Sequence, residues 1–450
     1  MGSFLKNFGN NSTIFAFSSG SVPSGVGIIR ISGPLSLKCA KIITGDEPKK
    51  PRIVELKNFV NPNTNDYIDR GLMIWFNKPN SFTGEDIIEF HTHGSMAVVD
   101  LLYEILLSID NVRIAEPGEF TRRSFENNKL NLEQVEGLVD VINAETKIQL
   151  DHANKLLLGN LGELTENLRV KLLALLSEIE AAIEFEDDGI VLDTFKNLNL
   201  KIDSISEIIN DILVNYQNSQ IIRDGLIISI IGPPNVGKSS IINRLTNSDV
   251  SIITNIPGTT RDIVEVKLKL FGYPVLLRDT AGLRHAQDVV EKIGVEKSIE
   301  SIKQSDLIIS VTDNELDLPI DLNTYNITDN TSIIEVQNKS DLIRDFNKND
   351  IIYISAKTNF GFEKLLSHIK IILESKFNQT KNKMYLISRK RHHEIFQEIS
   401  NSLISFKKQT ELELKAEDLR FGIQSLGKIT GRVDVEDMLD KLFNEFCIGK

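Results

Sequence analysis

Hydrophobic and polar positions follow three different rhythms along the chain. Up to about residue 120, short β-rich runs are divided by turns. GVGIIRISGP and LMIWF read as strands, and NKPNSFTGED reads as a loop. From about residue 128 the period lengthens. Leu164, Leu168, Leu172, Leu175, Ile179 and Ile183 recur every three or four positions with Glu, Lys and Arg between them, which is the buried stripe of an amphipathic helix. The spacing continues through Ile202, Ile205, Ile209 and Ile212. At Leu226 the rhythm changes again. LIISII is continuously apolar and β-branched, as a strand covered on both faces must be, and similar runs return at LIISV (307–311), SIIEV (332–336) and IIYIS (351–355). After about residue 375 helical spacing resumes with Ile395, Ile399, Leu403 and Phe406.

Strand and helix in alternation predict a doubly wound α/β domain. The helical segments on either side of it do not each supply a core, so they are expected to pack together, with the α/β domain inserted between them. The predicted fold is multidomain, α+β and α/β. It has an N-terminal α+β domain over 1–120, a helical domain in two parts over 121–222 and 376–450, and an inserted domain with a mostly parallel sheet over 223–375. A length of 450 residues agrees with several cores rather than one.

Composition narrows the class. An apolar fraction of 41% and a charged fraction of 25% are those of a globular protein, and no apolar run approaches the roughly 20 residues that span a bilayer. The start MGSFLKNFGNNST is a poor secretory signal. Two cysteines, Cys39 and Cys447, exclude a disulfide framework and favour a reducing, cytoplasmic compartment. A formal net charge of −12 argues against a broad basic face for nucleic acid while leaving room for local RNA contacts.

The strongest chemical signal is GPPNVGKSS, residues 232–240, which fits G-x-x-x-x-G-K-S after an apparent strand and before the helical IINRL. Gly232 and Gly237 let backbone amides wrap phosphate, with Asn235, Val236 and Ser240 in the same turn. Lys238 supplies charge to the outer phosphates, and Ser239 offers a hydroxyl to magnesium. Asn338-Lys339-Ser340-Asp341 follows SIIEVQ. A carboxylate there accepts both hydrogens of guanine's N1 and 2-amino groups, a pair that adenine lacks, so the pattern selects GTP. Ser355-Ala356-Lys357 after IIYI matches the accompanying base loop. RDTAGLRHAQDVVE (278–291) carries the switch residues Asp279 and Gly282, with Leu283 where many GTPases place a water-orienting Gln.

These motifs and GTTRD (258–262) resemble the translation-factor-related GTPases. GVGIIRISG (25–33), NSFTGEDIIEFHTHG (80–94), AEPGEFTRRSFENNKLNLEQVEGLVDVI (115–142) and the terminal FCIGK (446–450) resemble the MnmE, or TrmE, family of tRNA-modification GTPases over essentially the whole chain. The chain departs from that family's usual pattern at His93-Gly94-Ser95, in FENNKL, and at Arg432 after Gly431.

The resemblance implies an N-terminal domain that binds folate and dimerises. It also implies a heterotetramer with an FAD-dependent MnmG (GidA) partner. Together they would add an aminomethyl-type (carboxymethylaminomethyl) group to the wobble uridine of certain tRNAs, with a tetrahydrofolate derivative as one-carbon donor.

By the same resemblance, Glu291 takes over from the missing Gln. Asn235, Thr254, Ile256 and Thr259 would ligate potassium, and Thr260 would join Ser239 on magnesium. Arg30, Glu89, Lys129 and Lys450 would bind folate, and Cys447 would meet its one-carbon unit. Each has a plainer alternative. On the residues alone Glu291 reads as a solvated helix charge, a reading the resemblance displaces; Asn235 reads as a turn residue and Cys447 as an inert buried thiol, and Cys39 reads as core. The run Arg389–His393 is read as a solvated helix start, with tRNA phosphate as the second option. Two other functions compete with tRNA modification: a ribosome-assembly GTPase switch, which usually carries an added basic module, and a membrane-remodelling GTPase, for which no anchor is present.

Overall fold

The computed structural model describes residues 12–184, 191–233, 235–248, 253–254, 264–279, 302–313, 331–342, 351–378 and 387–431, and near the C-terminus 439, 442–443, 446 and 449. Within the strands and helices, the side chains of 191–196, 253–254, 264, 279 and 378 are not described. The chain divides into two compact units, Met1–Val139 with Gly427–Lys450, and Asp140–Leu426.

The first unit contains β1 (Thr13–Phe17), β2 (Ser24–Ser32), α1 (Ser36–Thr44), β3 (Val54–Val60), β4 (Tyr67–Phe76), β5 (Ile87–Gly94), α2 (Met96–Leu107), β6 (Val112–Ile114) and α3 (Glu119–Glu126). Its sheet runs β3-β4-β5-β2-β1-β6, antiparallel except where β6 joins β1. Alternation explains its two faces. Ile29, Ile31, Ile88 and Phe90 point into a core with Phe15, Met73, Cys39 and Ile43 of α1, and Leu102 and Leu106 of α2. Arg30 and Glu89, lying between those apolar residues, therefore share the opposite face, and the register sets them directly across from each other. A second cluster gathers Leu132, Val135 and Val139 of α4 (Leu132–Asn143) with Leu442, Phe443 and Phe446, so the C-terminal segment packs into this unit. Cys39 is fully buried, and burial pushes its thiol up to about 12, which fits a core residue.

The second unit contains α5 (Lys147–Leu157), α6 (Asn160–Glu184), α7 (Val191–Val214), α8 (Tyr216–Asp224), β7 (Leu226–Ile231), α9 (Lys238–Thr246), β8 (Ile253–Thr254), β9 (Val264–Leu270), β10 (Tyr273–Asp279), β11 (Leu307–Thr312), β12 (Ser332–Gln337), β13 (Ile352–Tyr353), α10 (Phe362–Asn378), α11 (Lys390–Lys408) and α12 (Leu412–Thr430). The 3.6-residue stripe lies inward: α6 buries Leu168, Leu172, Leu175 and Ile179, and α11 buries Ile395, Ile399, Leu403 and Phe406. α7 packs on α11, and Lys407 reaches Asp203 at 2.6 Å across that pair.

The second sheet runs β13-β12-β11-β7-β10-β9-β8. Its members are parallel from β13 to β10, whereas β9 and β8 add an antiparallel edge, so the sheet is mixed and mostly parallel. The β7 and β11 runs are almost wholly buried and share one core with α9 and α10, whereas β12 alternates, contributing Ile334 and Val336 to that core while Ile333 and Glu335 face outward. β7 lies between β11 and β10, and its chain exits toward α9. The crevice at the carboxyl ends of such strands, where the order switches, is where open α/β sheets bind ligands.

Candidate nucleotide and one-carbon sites

The phosphate loop leaves β7 at Ile231. Gly232 has φ +153°, and a Cβ there would strike the carbonyl of Val311 on β11. Gly237 has φ +96° and caps α9, and a Cβ there would collide with the Asn338 side-chain amide. Both glycines are therefore required by the left-handed backbone and by close approach of other chain. Asn235 also has positive φ, +62°, and is exposed at the loop; Asn is among the few other residues that accept this region. The Lys238 ammonium donates to the carbonyls of Gly232 (2.8 Å) and Pro233 (2.7 Å), so its charge is held against the loop. Ser239 and Ser240, next on the first turn of α9, are exposed. A helix N-terminus in this place presents backbone amides and a favourable dipole to anions.

Asn338 is 2% exposed and joins three segments. Its Nδ2 donates to the Val236 carbonyl in the phosphate loop (2.7 Å), its Oδ1 accepts from the Ala356 amide (3.0 Å), and its own amide donates to the Thr312 carbonyl at the end of β11 (2.7 Å). Lys339 is in the left-handed region at φ +60°, and its ammonium pairs with Asp313. Ser340 fixes the turn through its hydroxyl to the Ile354 carbonyl (2.8 Å). Asp341 is exposed beyond it. A hydrogen bond from the Ser355 hydroxyl, foremost, holds the Asp341 carboxyl below the usual carboxylate range, so this side chain is an acceptor with no proton to give. Ser355 is fully buried, and its amide turns to the Phe360 carbonyl (3.0 Å), ending the strand run early. IIYIS therefore contributes a strand only at Ile352–Tyr353, and the rest becomes the base loop.

The structure thus brings together Asn235, Val236, Gly237, Lys238, Ser239 and Ser240 with Asn338, Lys339, Asp341, Ser355, Ala356 and Lys357. The backbones of Thr254 in β8 and Asp279 in β10 are placed; Asp279 pairs in register with Ile230 of β7, which puts it at the same end of the sheet as the phosphate loop. Ile256, Thr259, Thr260, Gly282, Leu283, Glu291, Arg432, Cys447 and Lys450 lie outside the described residues.

On the first unit, Arg30 donates through Nε to Glu89 Oε1 at 2.8 Å, and its Nη2 lies 2.8 Å from the same oxygen. Oε2 lies 3.2 Å from His91 Nε2. Arg30 therefore grips one carboxylate oxygen and leaves the other capacity to accept from a ring N–H. Lys129 runs along Gly84, whose Cβ would come within 3.3 Å of its Cε. Further along β5, the His93 amide donates to buried Asp69 of the neighbouring β4 (2.8 Å), whose carboxylate also lies 2.8 Å from His93 Nδ1. Burial opposes ionisation of Asp69, but these hydrogen bonds outweigh it and leave its pKa lowered.

Several residues of consequence were not legible as such. Arg123, in the polar stretch FTRRSFE, is 5% exposed. It donates to Glu85 (3.0 Å), Glu119 (3.0 Å) and the Ser12 carbonyl (3.0 Å), and Glu85 also accepts from Ser32 (2.7 Å). This network ties the loop that carries Glu85 to α3 and β2. The basic run at α11 is also not wholly a solvated face: Arg389 pairs with Asp140 at 2.7 Å and His392 is fully buried, whereas Lys390 is exposed. No local spacing announces either arrangement. The partners come from distant sequence.

Residues 13–129 match the family described as GTP-binding protein TrmE N-terminus, and residues 132–447 match the MnmE helical domain. The chain is 41% identical over 452 residues to the tRNA modification GTPase MnmE of Rickettsia bellii, covering 97% of this chain and 100% of that protein. It is 39% identical over 445 residues to that of Rickettsia typhi, with the same coverage of 97% and 100%. The G domain of the T. maritima FeoB iron transporter is similar at 23% identity over 33% of this chain and 98% of its own, with a TM-score of 0.25. No helix among the described residues is long and apolar enough to cross a membrane.

Proposed function

The chain belongs to the MnmE family of tRNA modification GTPases, and from that premise we propose that it binds GTP at the carboxyl ends of its parallel strands and hydrolyses it to drive modification of tRNA. One observation carries the nucleotide reading: Asn338 ties the phosphate loop at Val236 to the base loop at Ala356, so the two ends of one nucleotide site are built as a unit. Lys238 and the amides of the loop bind phosphate, and Asp341 accepts from the guanine N1 and 2-amino groups. Ser239, exposed on the first turn of α9, would hold a magnesium ion together with Thr260, and exposed Asn235 would hold potassium together with oxygens of Thr254, Ile256 and Thr259. When bound, these ions neutralise charge that develops on the phosphates. Glu291 orients the attacking water, since Leu283 has no hydrogen-bonding group.

The finer reading extends to one-carbon chemistry. Arg30 orients Glu89, whose other oxygen, beside His91 Nε2, would use its further acceptor capacity for the pteridine ring of a tetrahydrofolate derivative. Lys129 and Lys450 would supply cations for its acidic tail, and Cys447 would meet the one-carbon unit. The chain acts as a homodimer, joined by an FAD-dependent MnmG-type partner in a heterotetramer, on the wobble uridine of certain tRNAs in the cytoplasm. Mass analysis of tRNA nucleosides tests this. Cells that lack the chain are expected to lose the aminomethyl-type wobble uridine, with restoration by the wild-type chain and not by Asp341→Asn. An unchanged nucleoside profile in the deletion strain would reject the assignment.

A further inference from the structure

Arg244 lies in the last turn of α9, the helix whose first turn forms the phosphate cradle. It belongs to neither sequence motif of the nucleotide site. Its Nε donates to the Ala356 carbonyl at 3.0 Å and its Nη2 to the Lys357 carbonyl at 3.2 Å. These are charge-assisted bonds from one planar fork to two successive carbonyls, a grip that a single ammonium does not reproduce. The Ala356 amide is held from another side by Asn338 Oδ1 at 3.0 Å. The peptides of the 355–357 loop are therefore fixed in direction by two side chains from different segments.

Direction matters here because of what lies next to Asp341 on a purine. Asp341 is linked to Ser355 of this loop, and an ionised carboxylate there reads N1–H and the 2-amino group. The next group on that edge is position 6, an oxygen acceptor in guanine and hypoxanthine and an amino donor in adenine. A backbone carbonyl swung toward position 6 would accept from the adenine amino group and repel the guanine oxygen. Arg244 engages the two carbonyls of Ala356 and Lys357 and keeps them from turning.

We propose that Arg244 is a specificity-determining positioning residue, which holds the 355–357 loop so that 6-oxo purines are accepted and 6-amino purines refused. The inference rests on the guanine reading of the preceding section and adds a residue and a discriminated position to it.

The test measures dissociation constants of the full chain for GDP, IDP and ADP, the last by competition, in the wild type, Arg244→Ala, Arg244→Lys and Asp341→Asn. In Arg244→Ala, GDP and IDP should weaken together by about tenfold, the worth of a lost charge-assisted bond, while ADP does not weaken. The preference for guanine over adenine falls by the same factor, and that for guanine over hypoxanthine stays. Arg244→Lys, which keeps the charge and the helix stem, should restore only part of the discrimination, and it serves as the readout if the alanine variant fails to fold. Equal weakening of all three nucleotides would assign Arg244 a general structural role and overturn the inference. So would unchanged affinities. If Asp341→Asn alters guanine preference while both Arg244 variants keep full selectivity, only this inference falls. If Asp341→Asn leaves base preference intact, the guanine-site reading itself falls.

Discussion

Asn338 and Val236 are 102 positions apart in the chain and are joined by one hydrogen bond of 2.7 Å, from the side-chain amide of the first to the carbonyl of the second. The bond is buried and sits between the loop expected to hold phosphate and the loop expected to hold the base. It makes the nucleotide site one cooperative object rather than two adjacent ones.

Asn338→Ala should therefore weaken GTP and GDP together and also destabilise the unit without nucleotide. The Val236 carbonyl and the Ala356 amide lose their shared partner, and a buried polar group left unpaired costs about 1–3 kcal/mol. Calorimetry with both nucleotides, alongside urea unfolding, measures the two effects. A variant with ordinary stability and ordinary affinity would show that the brace carries no energy.

Glu291→Ala should bind GTP normally and hydrolyse it slowly, because the phosphate and base loops are untouched. Removal of a water-orienting or general-base group lowers turnover by about 10²–10⁴. Single-turnover hydrolysis separates this from a binding defect. Near-normal turnover would mean that another group replaces the missing Gln.

Hydrolysis should also depend on the monovalent cation. In the proposed reading, Asn235 and residues 254–260 would offer neutral oxygens, which suit potassium better than the smaller sodium ion. Exchange of potassium for sodium at constant ionic strength is expected to slow turnover strongly. Equal rates in the two salts would remove the potassium ligands from the account.

A pH effect on stability follows from His152. This side chain is 5% exposed, and among the described residues its Nε2 has no hydrogen-bond partner. Burial first, and the charges of Lys155 and Arg223 next, lower its pKa from 6.5 to about 4. The unfolded chain thus binds a proton in a window where the folded chain does not. Stability contributed by neutral His152 is complete above about pH 6.5 and is lost as pH falls toward 4, by about 3 kcal/mol in all. Urea midpoints between pH 4 and 7 should show a steeper fall for the wild type than for His152→Gln. Parallel curves would contradict the burial argument.

Elements were legible in the sequence where one local rule decides the outcome. LIISII is continuously apolar because β7 is covered on both faces, and GPPNVGKSS is a motif because its glycines meet a single steric demand at Gly232 and Gly237. What failed to show was set by topology. IIYIS has the composition of a full strand, yet the Ser355 amide turns to Phe360 and the ladder stops. Arg123 sits among polar neighbours that suggest a surface helix, yet it is buried, with the half-buried Glu85 and Glu119 as its partners. The Arg30–Glu89 pair depends on the register of β2 against β5, which no spacing within either strand reveals. Arg244 looks like an ordinary helix charge until the fold brings Ala356 and Lys357 beneath it.

The central claim is that the 338–341 turn and the 355–357 loop form a guanine reader joined to a phosphate loop. Competition between GTP and xanthosine triphosphate for the wild-type chain and for Asp341→Asn tests it most directly. In this reading the wild-type carboxylate accepts two hydrogens from guanine. The amide presents one donor and one acceptor, and xanthine, with a carbonyl in place of the 2-amino group, matches that exchanged pair. Preference is expected to pass from GTP in the wild type to xanthosine triphosphate in the variant, with hydrolysis following the nucleotide bound. An Asp341→Asn chain that still prefers GTP to the same degree would contradict the account.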